Sequence, residues 1–75
     1  SSTVMDKQFF KGLLPLVNDK DQYASLKDYA NARIWHYHGL LETTKDHHRM
    51  LEIQGAIAEL KRIETLRDEV IKGAE

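Results

Sequence analysis

Apolar positions along this chain recur at steps of three and four and nowhere alternate cleanly, so the pattern predicts helices and no strands. One stripe runs through Tyr23, Leu26, Ala30, Ile34, Tyr37, Leu40 and Leu41. It marks a long amphipathic helix over residues 20–43. A second stripe runs through Ile53, Ala56, Leu60, Ile63, Arg67 and Val70 at heptad-like spacing, widened by Ile57 and Ile71. It marks another helix over 46–72, with Gly73 as its terminating residue. Arg67 is the one polar entry in this seam, and its long side chain can carry the charge outward. Thr43, Thr44, Lys45 and Asp46 form the break between the two helices, and Thr44 or Asp46 is suited to cap the second.

Ahead of these lies an apolar segment from about Thr3 to Leu14, with Phe9, Phe10, Leu13 and Leu14. Gly12 and Pro15 shorten it, because proline disfavours helical geometry in the residue before it. Leu16 and Val17 extend the patch, which gives a short N-terminal helix over residues 5–17. Asn18 and Asp19 read as a turn, and Asp19 with Gln22 has the spacing of a capping box. Residues 1–4 precede Met5 and read as a candidate tag remnant.

Two long helices joined by a short break should lie antiparallel. Folding at Thr44 pairs positions whose numbers sum to about 90, so the two stripes meet. Ala30 then faces Leu60, Leu26 faces Ile63, and Tyr23 lies near Leu66 and Arg67. The expected architecture is all-α: a single domain over 1–75, built as a long antiparallel two-helix hairpin with the short N-terminal helix. A domain this small is marginal without disulfides, metal or partners. There are no cysteines, so the expectation is an oligomer.

Charge is balanced at 11 basic against 12 acidic residues, which removes the basic excess expected of a nucleic-acid binder. The charges of the third helix alternate in sign and read as a solvated face. No apolar run approaches the roughly 18 residues of a membrane span. The N-terminus lacks the pattern of a signal peptide.

Catalytic and metal-binding chemistry find no support. Glu52 and Glu59 lack a cleft, Ser25 lacks a base, and there is no Gly-rich phosphate loop. His36 and His38 lie about 200° apart on one helix, and His47 and His48 about 100° apart, so neither pair converges on one ion. The expectation is a non-enzymatic chain with no catalytic, cofactor or metal site.

The candidate contact residues are Trp35, Phe9, Phe10, Leu13, Ala32 and Gly39. Trp35 projects about 180° from Leu26 and therefore away from the seam. Ala32 and Gly39 share its side, so a large aromatic stands among small residues, a surface suited to another helix. Three placements of Phe9, Phe10 and Leu13 remain open. They cover Trp35, cap the hairpin end near Leu66 and Val70, or insert into a neighbouring subunit.

From about Leu26 to Ile71 the chain resembles small uncharacterised helical-hairpin proteins of tailed bacteriophages and prophages, encoded near head and packaging genes. The stretch Ile53-Gln54-Gly55-Ala56-Ile57-Ala58-Glu59-Leu60-Lys61-Arg62-Ile63 carries the resemblance, with Leu66, Val70 and Leu40-Leu41-Glu42. The N-terminal apolar segment lies outside it. The resemblance implies a structural or assembly accessory role, self-associating or docking on a larger phage protein, in the host cytoplasm or the virion. The alternative is a small phage-encoded inhibitor of a host enzyme or regulator.

Overall fold

The computed structural model describes residues 4–75. The expected helix start at Thr3, and the first three residues of the candidate tag remnant, lie outside them. The described chain is all-α: helix α1 (Lys7–Asn18), α2 (Lys20–Thr43), α3 (His47–Lys61), a 3-10 turn (Arg62–Thr65) and α4 (Leu66–Ala74). No strand occurs among the described residues.

Helix α1 starts at a real cap. The Asp6 carboxylate accepts from the Phe9 N–H at 2.9 Å, satisfying one of the four unpaired amides of a first turn. The helix runs through Pro15 to Asn18, one residue past the expected end at Val17. Proline removes only its own N–H, whose helical acceptor is the Lys11 carbonyl. Lys11 is exposed, so water is at hand for that oxygen. Beyond Pro15 the ladder resumes, and the Asp19 N–H donates to the carbonyls of Pro15 and Leu16.

A single residue, Asp19, joins α1 to α2. Its carboxylate accepts from the Gln22 N–H at 2.9 Å, and the Gln22 amide reaches back to the same carboxylate at 3.3 Å. Removing this cap as Asp19→Ala is expected to cost about 0.5–2 kcal/mol in urea denaturation. A cost below a few tenths would show the cap to be idle.

Helix α2 ends at Thr43, where the apolar stripe predicts. Thr44 does not cap α3: its hydroxyl donates to the Leu40 carbonyl at 2.6 Å and so finishes α2. Asp46 sits at the N-cap of α3 without a side-chain cap bond. Helix α2 then lies along α3, and α1 packs mainly on α4.

The helix expected over 46–72 is interrupted. Between α3 and α4, Arg62–Thr65 tighten into a 3-10 turn, and Thr65 leaves helical geometry at φ −107°, ψ 12°. No Pro or Gly lies in this stretch. Opposite the break, the Tyr23 hydroxyl donates to the Ile63 carbonyl at 2.6 Å and accepts from the Arg67 N–H at 3.2 Å. Arg67 does carry its charge outward, its Nε donating to Asn18 Oδ1 at 3.3 Å.

Gly73 is not a terminator. It lies inside α4, without positive φ, and its missing side chain admits the ring of Phe10. The buried core among the described residues is Val17, Tyr23, Ala30, Ile53, Ile57 and Val70. Leu26, Ile34, Tyr37, Leu60 and Ile63 are half-buried. The molecule is elongated, 44 × 27 × 19 Å with a radius of gyration of 15.2 Å. A compact chain of this length would have about 11 Å. The small core and long outline leave much apolar surface at or near solvent.

Candidate protein-docking surfaces

The outer face of α2 follows from helix geometry. Ala30 points inward and is buried, so residues about half a turn away point outward. Ala32, Trp35 and Gly39 are all exposed, and Trp35 retains 81% of its surface. A Cβ added at Gly39 would meet nothing, so no packing within the chain requires a glycine there. Trp35, His38, Gly39 and Glu42 line a shallow groove of about 170 Å³. An indole left this exposed is costly in water unless something covers it.

Phe9, Phe10 and Leu13 do not cover Trp35. They sit on α1, which packs on α4. Phe9 and Phe10 meet edge to face at 5.6 Å, and Phe10 lies over Gly73. Phe10 and Leu13 are half-buried, and Phe9 keeps 41% of its surface. The six candidate residues therefore fall into two separate groups. Ala32, Trp35 and Gly39 form an open face on α2, whereas Phe9, Phe10 and Leu13 lie together on α1, with Phe9 the most exposed of the three.

A second groove was not legible as such in the sequence. Met5, Leu60, Ile63 and Leu66 line a depression of about 350 Å³, with Glu59, Arg62 and Glu69 at its edge. Leu60 and Ile63 read as seam residues, and only their partial burial reveals surplus apolar width. Arg62 pairs with Glu69 at 3.1 Å and with Glu59 at 3.2 Å. The hydrogen bond to Glu69, then the charge of Glu59, push the guanidinium further above its already high value, so it stays charged. Leu51 on α3 and Tyr29 on α2 are further large exposed apolar side chains.

The charged residues pair locally. Arg49–Glu52 and Arg62–Glu59 are helix-spaced ion pairs on exposed positions. Such pairs contribute little to stability and leave no concentrated basic field. Among the described residues no group of three or more His, Cys, Asp or Glu comes together to hold a metal ion. No helix among them is long and apolar enough to cross a membrane. Comparison with protein-family models, with curated proteins and with solved structures found no match.

Proposed function

We propose that this chain is a non-enzymatic protein-interaction module that works by helix-face docking onto copies of itself or onto a larger protein. Its working scaffold is the antiparallel hairpin of α2 with α3. One observation carries the reading: Trp35 stands 81% exposed on the outer face of α2, beside Ala32 and Gly39. Tryptophan is the side chain most often found at the energetic centre of protein interfaces, and small neighbours let a second backbone approach. The elongated outline and small core add a motive, since association would cover apolar surface that the monomer leaves wet. The resemblance of Ile53–Ile63 to tailed-phage helical hairpins supplies the setting, a structural or assembly accessory of the virion.

The test is sedimentation equilibrium on wild type and Trp35→Ala. The wild type is expected to self-associate. The variant is expected to weaken association by roughly thirtyfold or more, as a hot spot worth about 2 kcal/mol does. Its thermal stability should stay within about 0.5 kcal/mol, because an exposed side chain supports little of the fold. A wild type that stays monomeric at millimolar concentration would defeat the self-association half of the reading. A variant that associates as tightly as wild type would remove Trp35 from it.

A further inference from the structure

The Tyr23 hydroxyl occupies an unusual place. In an uninterrupted α-helix the Arg67 N–H would donate directly to the Ile63 carbonyl, four residues back. Here the Tyr23 oxygen stands between them, taking the proton of Arg67 at 3.2 Å and giving its own to Ile63 at 2.6 Å. The Glu64 carbonyl, at 3.2 Å, is the weaker second acceptor. Sharp bends in helices arise at proline, at glycine or serine pairs, at π-bulges, or where a group enters the hydrogen-bond ladder. Residues 61–68 contain none of Pro, Gly or Ser. The inserted hydroxyl is the remaining cause of the 3-10 turn at 62–65.

This insertion sits where the molecule divides. Helix α1 makes most of its contacts with α4, and α2 makes most of its contacts with α3. The two pairs are joined by two short links: Asp19 between α1 and α2, and the 3-10 turn between α3 and α4. Both links pass the same spot. Asn18, beside the first, accepts from Arg67, just past the second, and Tyr23 lies one turn beyond Asp19. The Tyr23 ring is itself buried and carries the Lys27 ammonium 4.7 Å from its centre.

We propose that α1 and α4 form a unit hinged on α2 and α3, and that the Tyr23 hydroxyl is the latch that holds the hinge bent. With the hydroxyl in place the Ile63 carbonyl and the Arg67 N–H are satisfied separately, and α4 is turned toward α1. With the hydroxyl withdrawn, these two groups bond to each other. Residues 47–74 then form one straight helix, about 42 Å long at 1.5 Å per residue. Straightening carries Val70 and Gly73 away from their present neighbours and opens the apolar face of α1, with Phe10 and Val17, to solvent. The bent form is favoured at rest because it buries Val17 and Val70 and makes the extra hydrogen bond.

The experiment uses the full chain and the variant Tyr23→Phe, which keeps the ring and removes only the hydroxyl. Backbone chemical shifts at Arg62–Leu66 are expected to move from 3-10 toward α values. The scattering radius of gyration should rise above that of wild type. The amides of Leu13, Leu14 and Leu16 should exchange about tenfold faster or more, as expected when a docked element opens more often. A 3-10 turn that persists in Tyr23→Phe, or an unchanged radius of gyration, would overturn the latch. If the variant loses its helical circular dichroism altogether, wild type decides. There the Tyr23 hydroxyl proton should exchange slowly and show a cross-relaxation peak to the Arg67 amide, and its absence would equally overturn the proposal.

Discussion

Ile53→Ala is expected to destabilise the protein by about 2–5 kcal/mol, the range for emptying a well-packed isoleucine site. Ile53 keeps 1% of its surface and is among the largest side chains fully enclosed. It lies on α3 at the face turned to α2, so its loss leaves a hole between two elements that must stay together. The proportion matters more than the absolute figure. Stability of roughly 0.05–0.15 kcal/mol per residue gives a 75-residue chain about 4–11 kcal/mol in total. With six buried hydrophobics among the described residues, one cavity can consume half of that sum. Urea denaturation monitored by helical circular dichroism measures the loss, with an unchanged m-value as the sign that the folded state is the same. A midpoint close to wild type would mean that Ile53 does not pack as described.

Gly73→Ala is expected to destabilise by about 1–3 kcal/mol, the cost of overpacking. Its sign runs against local preference, since alanine is favoured over glycine inside a helix by about 1 kcal/mol. A Cβ built at Gly73 would fall 2.6 Å from Phe10 Cγ and 2.7 Å from Phe10 Cε2, with Cδ2 nearer still. Cγ is the root of the ring, so a small swing of the ring does not clear the overlap. Either Phe10 leaves its rotamer or α1 lifts from α4. A double-mutant cycle isolates the cause. In a Phe10→Ala background the ring is gone, and Gly73→Ala should become stabilising by a few tenths to about 1 kcal/mol. The same destabilisation in both backgrounds would show that something other than Phe10 requires the glycine.

Sequence and structure agree where the physics is local. The Asp19–Gln22 cap follows from residue types three positions apart, and the bond is present. The outward position of Trp35 follows from 100° per residue and nothing else. The inward positions of Ala30, Ile53 and Ile57 follow from the same arithmetic. Disagreement begins where one residue's role is set by another far away in the chain. Gly73 carries the local signature of a helix end, yet its reason for being glycine is Phe10, on a different helix. The stretch Lys61–Leu66 has no local cause to break, and the cause is a tyrosine forty residues earlier. Pro15 carries a real helix-breaking signal, yet the helix expected over 5–17 runs through it, because the single lost hydrogen bond falls at Lys11, an exposed residue. Of the three placements left open for Phe9, Phe10 and Leu13, α1 takes the one beside Val70, a choice that depends on the bend at 62–65 and so on Tyr23.

The docking of α1 on α4 also bears on how the chain is made. Asn18 and Arg67, which touch across this contact, are separated by 49 positions. On the ribosome α1 emerges before α2 and α3, and its seat on α4 only after them. Throughout that interval Phe9, Phe10, Leu13 and Leu16 lack the α4 surface that takes most of the α1 contacts. A nascent chain arrested before Val70 should therefore present α1 as a greasy flag, and a chaperone that captures such segments would hold it until release of α4 lets the two helices close.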